Sequence, residues 1–132
     1  MTDEEYLQKA RDAARNAYCP YSDFPVGAVA VAEDGELYFG CNVENASYGL
    51  TICAERAAIF NAVSAGNKKI KLLATTCLKG DKSLPNSLMS CGACRQVISE
   101  FLTNDGRILV DGVGVFTMEE YLPLALKLPA KG

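Results

Sequence analysis

Two cysteines three residues apart, Cys91 and Cys94, constrain this chain more than any other feature. Ser90 is a helix-capping residue ahead of a run of helix formers, so the pair is predicted in the first turn of a helix. Residues at that spacing share a helix face and can chelate one ion. The partial positive charge of a helix N-terminus also lowers thiol pKa and favours the metal-binding thiolate. Cys53 opens a second predicted helix over residues 53–65, with Gly66 as its C-terminal cap. If the two helix starts face each other at one sheet edge, three thiolates meet. Three protein ligands leave the fourth tetrahedral position of Zn²⁺ open to water, as in hydrolytic zinc sites.

Composition decides who else can take part. The chain has six cysteines and no histidine, which excludes Ser-His and Cys-His nucleophile pairs and all imidazole acid–base chemistry. Its first residues are acidic and lack the basic-then-apolar order of a signal peptide, so the expected location is cytoplasmic, where thiols stay reduced and metal binding outranks disulfide pairing. A net charge of -3 and a single basic cluster, Lys68-Lys69-Ile70-Lys71, argue against a nucleic acid polymer as partner. No apolar run approaches the length of a membrane span. At 132 residues the chain is expected to form one domain over 1–132.

Periodicity supplies the architecture. Thr2-Asp3-Glu4-Glu5 reads as a capping box before an amphipathic helix with Tyr6, Leu7, Ala10, Ala13, Ala14 and Ala17 on one stripe. Residues 26–32 and 37–43 are β-prone and flank Asp34-Gly35, a hairpin signal. Residues 72–78 form the next predicted strand. The Cys91 helix buries Val97, Ile98, Phe101 and Leu102 and ends at Asn104-Asp105-Gly106. Extended segments at 107–111 and 113–116 follow, and Thr117-Met118-Glu119-Glu120 repeats the capping box. A hairpin followed by alternating helices and strands implies an α/β fold with a mixed sheet covered by helices.

Near the cysteines, Glu55 is the closest carboxylate able to move protons for a metal-activated water. Three thiolates leave the ion with a net charge of about -1, which weakens it as a Lewis acid. Arg56, donating to sulfur, offsets that charge. Two other uses of these cysteines stay open on the residues alone: a redox dithiol at Cys91 and Cys94, or a closed structural site with Cys19, Cys41 or Cys77 as fourth ligand. Cys41 and Cys77, inside strand-like runs, read first as small buried residues.

Cys53-Ala54-Glu55-Arg56 with Cys91-Gly92-Ala93-Cys94-Arg95-Gln96 resembles the three-cysteine signature of the zinc nucleoside deaminases. Together with residues 21–28 and 40–46, the chain resembles the short, homotetrameric cytidine deaminases over nearly its whole length. The resemblance implies a three-layer α/β/α sandwich with a central mixed β-sheet. It implies Zn²⁺ on Cys53, Cys91 and Cys94, with Glu55 as proton shuttle and Arg56 and Gln96 behind the ligands. Asn42 and Glu44 hold the ribose hydroxyls, Phe24 packs on the pyrimidine and the Ala54 backbone reads the base. The implied assembly is a homotetramer in which loops of neighbouring subunits complete each pocket, including Asn45, Ala46 and Tyr48. The implied reaction is hydrolysis of cytidine and deoxycytidine to the uridine products with release of ammonia, in pyrimidine salvage.

Three departures bear on specificity: Ser90 stands where the family has Pro, the segment around residues 79–89 is longer, and Leu126 lies near a usual C-terminal aromatic. They keep open a relative acting on a modified cytosine nucleoside. A non-catalytic, zinc-stabilised binding protein is the alternative from another class.

Overall fold

The structure, a computed structural model, describes residues 1–131. The capping box at its start is complete: Thr2 Oγ1 accepts from the Glu5 amide at 3.2 Å and the Glu5 carboxylate accepts from the Thr2 amide at 3.3 Å. Helix α1 (Asp3–Ala14) buries Ala10, Ala13 and Ala14. The hairpin of β1 (Val26–Ala32) and β2 (Leu37–Cys41) turns at Gly35, whose φ of 93° suits glycine.

After α2 (Ala54–Ser64), Gly66 at φ 95° closes a Schellman cap, with its amide on the Val63 carbonyl and the Asn67 amide on the Ala62 carbonyl. Strand β3 (Ile70–Cys77), helix α3 (Gly92–Phe101), strands β4 (Leu102–Val110) and β5 (Gly114–Phe116) and the short α4 (Met118–Tyr121) complete the chain.

The sheet order is β2-β1-β3-β4-β5, with β3 and β4 parallel and the other pairs antiparallel. Alternation divides the core. Val29, Val31, Leu72, Ala74 and Leu109 pack with Ala10 of α1 on one face. Ala28, Ala30, Leu73, Ile108 and Val110 pack with Ala58, Ile59, Ile98 and Tyr121 of the remaining helices on the other. This is the expected α/β/α sandwich on a mixed sheet.

Some boundaries fall elsewhere than the pattern suggests. The second strand ends at Cys41 rather than 43: the Asn42 amide still donates to the Val26 carbonyl at 3.2 Å, but the Val26 amide donates to Asn42 Oδ1 and Asn42 Nδ2 to the Phe24 carbonyl, both at 2.9 Å, and Val43 pairs with Ile52 instead. The third strand starts two residues early because Ile70, facing the core, is already paired with Leu102. Leu102 therefore belongs to β4, not to the buried face of the preceding helix. Between the Ile70–Leu102 and Leu72–Arg107 pairs, residues 103–106 have no strand partner and bulge opposite Lys71 alone. A Cβ built on Gly106 would lie 2.9 Å from the Thr103 carbonyl oxygen, so Asn104-Asp105-Gly106 keeps its turn character inside β4. These turn residues interrupt the parallel ladder between its two paired segments. Finally, Cys91 and not Ser90 is the N-cap of α3.

Candidate functional site

Cys53 is the N-cap of α2, Cys91 the N-cap of α3, and Cys94 sits in the first turn of α3. The two helix starts do meet: the three sulfurs lie within 4.8 Å of one another, and Cys91 and Cys94 Sγ are 3.4 Å apart. Thiolates arranged tetrahedrally at a Zn–S distance of about 2.3 Å stand roughly 3.8 Å apart, so the cluster has the dimensions of a zinc cage. Neither Cys53 nor Cys91 spends its side chain on capping its own helix.

Arg56 Nη2 donates to Cys53 Sγ at 3.4 Å, and Arg56 Nε is buried without a partner among the described residues. A fixed cation with an unused donor beside three sulfurs is what a cluster carrying excess negative charge requires. The Cys53 thiol is held well below its usual range, first by a hydrogen bond from Cys94 and then by Arg56. Cys19, Cys41 and Cys77 do not join the cluster, which leaves the closed four-sulfur arrangement without its fourth ligand among the described residues. Cys41 and Cys77 are half-buried rather than buried. Burial, with the nearby Glu55 and Asp111 charges, pushes the Cys77 thiol up to about 11, the behaviour of a neutral wall residue.

Glu55 lies in the first turn of α2 and is only 5% exposed. Burial raises its carboxyl pKa, and a hydrogen bond from the Ser90 side chain opposes the rise. A cavity of about 400 Å³ opens onto Glu55, Cys53 and Cys91 and is also lined by Phe24, Asn42, Glu44 and Ala54. Its far wall is Thr75, Cys77, Leu88 and Met89. Asp23, at φ 52°, turns the chain so that Phe24 reaches this space. The Glu44 carboxylate accepts from the Tyr21 and Ser22 amides at 3.1 Å each and from the Ser22 hydroxyl, which lowers its pKa.

Other expected residues sit apart. Asn45, Ala46 and Tyr48 face solvent at the rim, and the Asn45 side chain is occupied by the Ser47 amide at 2.9 Å. Gln96, expected behind the sulfurs, gives its amide instead to the Leu126 carbonyl at 3.1 Å, because two residues beyond Cys94 it lies on another face of α3. Leu126 is itself 64% exposed and does not line the cavity. Sequence reasoning missed Tyr121. Its hydroxyl accepts from the Ser90 amide at 2.9 Å and donates to Ser90 Oγ at 2.8 Å. The capping box at Thr117 announces the helix that carries it, but no local signal announces a contact 31 residues away.

The sequence profile described as the cytidine and deoxycytidylate deaminase zinc-binding region matches residues 1–110. The chain belongs to this deaminase family. A cytidine deaminase of Sporosarcina psychrophila is 50% identical over 101 residues, 76% of this chain and 71% of that one. One of Halalkalibacterium halodurans is 39% identical over 127 residues, 93% of this chain and 92% of that one. The crystal structure of a cytidine deaminase from Burkholderia pseudomallei superposes with a TM-score of 0.84 at 38% identity, covering 96% of this chain and all of that one. The fold is thus that of the cytidine deaminases, and the sulfur cluster lies inside the matched zinc-binding region.

Proposed function

We propose that this chain hydrolyses free cytidine and deoxycytidine to uridine and deoxyuridine, releasing ammonia. The observation that carries the reading is the convergence of three sulfurs and a buried carboxyl on one cavity of small-ligand size. Zinc held by Cys53, Cys91 and Cys94 supplies the Lewis acidity that makes water a nucleophile near neutral pH. Glu55, two residues from Cys53 and shielded from solvent, would take one proton from the attacking water and deliver it to N3 of the ring, then pass the proton released by the added hydroxyl to the departing amine. Burial, by raising its pKa, brings the carboxyl toward the range in which it both accepts and returns a proton.

Phe24 packs on the pyrimidine, and the amide of Ala54, the first helical residue of α2, is one of those a helix leaves without an internal partner and reads the base. Asn42 and Glu44 hold the ribose. Asn42 keeps one acceptor and one donor site after its bonds to Val26 and Phe24, and those bonds fix its amide plane. Three protein donors hold the Glu44 carboxylate in the same way.

The chain acts as one catalytic domain and assembles as a homotetramer. Exposure of Tyr48 at 77% and Leu50 at 71%, beside the cavity rim, supports burial of that stretch by neighbouring copies. The six free cysteines support a reducing, cytoplasmic setting and a place in nucleoside salvage. A second reading, action on a cytosine substituted on the base, is favoured by the cavity wall: Ser87, Leu88 and Met89 come from the long segment before Cys91.

Ultraviolet absorbance with cytidine, deoxycytidine and a panel of substituted cytosines separates the two readings. Glu55→Ala is expected to retain zinc and fold while losing at least about a hundredfold in kcat. Near-normal turnover by that variant removes the assigned role.

A further inference from the structure

One wall of the cavity comes from the segment between β3 and α3, to which the catalytic assignment gives no role. Pro85–Leu88 form a single 3₁₀ turn, and Ser87, Leu88 and Met89 run from it along the cavity. Leu88 is 4% exposed and packs into the core that holds Ile59, Leu73 and Ile98. It is seated from behind on Gly80. A Cβ built there would overlap Leu88 Cδ2 and come within 3.1 Å of Cys77 Cβ, so glycine at 80 is what lets the leucine take this place. Met89, half-buried beside it, is unbranched and re-packs readily.

The side-chain donors of this wall are already spent. Ser87 Oγ gives its proton to the Leu84 carbonyl at 2.6 Å, Thr75 Oγ1 to the Gly27 carbonyl at 3.3 Å, and the Cys77 thiol reaches the Leu88 carbonyl at 4.0 Å. A polar group pressed against the wall would lose water and find no side-chain donor in exchange. The surface suits hydrocarbon.

Polarity also says which part of a cytosine meets it. Between N1 and C4 the ring has one polar edge, the C2 carbonyl and N3, and one apolar edge, the C–H groups of C5 and C6. In the deaminase reading Glu55 and the Ala54 amide, both in the first turn of α2, take the polar edge. The apolar edge is left for the apolar wall. Leu88 and Met89 stand three and two residues before Cys91, whose sulfur marks the C4 end, and C5 adjoins C4 on that edge. We propose that Leu88 and Met89 form a subsite for the C5 position, one that accepts a small apolar substituent such as methyl and discriminates against a polar one of similar size. Leu88 sets its depth, and Met89 yields to the added volume. The inference rests on the deaminase reading and narrows the substituted cytosines to one ring position and one chemistry.

The test uses the full-length, zinc-loaded chain and compares kcat/KM for cytidine, 5-methylcytidine and 5-hydroxymethylcytidine. Ratios between substrates on one preparation cancel losses of zinc or active protein, and ratios between variants cancel the electronic effect of the substituent. The wild type is expected to act on 5-methylcytidine within about tenfold of cytidine, and on the hydroxymethyl compound at least about tenfold less well than on the methyl one. Met89→Phe, which fills the subsite, is expected to lower the methyl-to-cytidine ratio by about tenfold or more. Met89→Gln, which adds a donor to the wall, is expected to narrow the gap between methyl and hydroxymethyl. Gly80→Ala, which displaces Leu88, is expected to lower the methyl-to-cytidine ratio as well, and it decides alone should Met89→Phe fail to fold. A wild type that leaves 5-methylcytidine untouched, or handles the hydroxymethyl compound equally well, overturns the subsite. So do ratios unmoved by the variants while cytidine is still turned over. No turnover of any of the three compounds by the wild type removes the deaminase reading itself.

Discussion

In the proposed zinc site, Arg56 is the residue placed to balance the charge of an all-sulfur cage. It reaches Cys53 through Nη2 and keeps a buried Nε without a partner among the described residues, so its cation faces the cluster. Removing it leaves the ligands in place but the charge unopposed. Arg56→Ala is expected to retain most of its zinc, measured by atomic absorption, and to lose kcat by about tenfold or more. Unchanged turnover at full metal content would show that the guanidinium does not tune the site. Such residues were legible in the sequence because helix spacing links Cys91 to Cys94 and adjacency links Cys53, Glu55 and Arg56. Gln96 shares that stretch yet points elsewhere, since proximity in sequence does not select a helix face. Tyr121 was illegible for the opposite reason: its partner is distant in the chain, and its burial resembles that of any core aromatic.

At the scale of elements, the position of α2 is set by a missing side chain. A Cβ built on Gly40 of β2 would lie 2.4 Å from the Ala54 carbonyl oxygen and 2.4 Å from the Ala58 amide nitrogen. Backbone cannot yield as a flexible side chain does, so α2 packs this close only on glycine. Gly40→Ala must therefore push the first turns of α2 outward, and that turn carries Cys53 and Glu55. A loss of about 1–3 kcal/mol in unfolding free energy is expected, together with a zinc affinity and a kcat that fall together. A variant equal to wild type in denaturant midpoint and zinc affinity would refute the close-packing account. The elements themselves were readable because capping boxes, the Asp-Gly turn and the period-two core are local signals. The place of Leu102 in a strand was not, because it comes from pairing with Ile70 of β3, ahead of an irregular stretch, and not from its own residues.

Across the whole molecule, two Arg–Asp pairs fasten the N-terminal helix to the β4 side of the sheet, on the face opposite the cysteines. Arg107 and Asp3 form the outer, half-exposed pair, with N–O distances of 2.8 and 2.9 Å. Arg11 and Asp111 form the inner one, bidentate at 2.8 Å for both bonds, with the Thr76 hydroxyl also donating to Asp111 at 2.8 Å. The exposed pair contributes little, whereas Asp111, with its side chain 10% exposed, is the one whose loss is felt. The hydrogen bond from Arg11 first, and that from Thr76 after it, hold the Asp111 carboxyl below the ordinary range. A depressed folded-state pKa means that the unfolded chain binds the proton more readily. The stabilisation is then complete above the unfolded value of about 3.9 and is lost as pH falls through the lower folded value. Asp111→Asn is expected to cost about 1.5–3 kcal/mol near neutral pH. The gap between variant and wild type should narrow only below about pH 4. Thermal unfolding followed by circular dichroism from roughly pH 3 to 7, at one protein and one zinc concentration, measures that gap directly. Acid release of zinc affects both chains alike, so the difference isolates Asp111. A gap that stays constant down to the lowest pH would show that the pair holds α1 by shape alone, with no contribution from its charge.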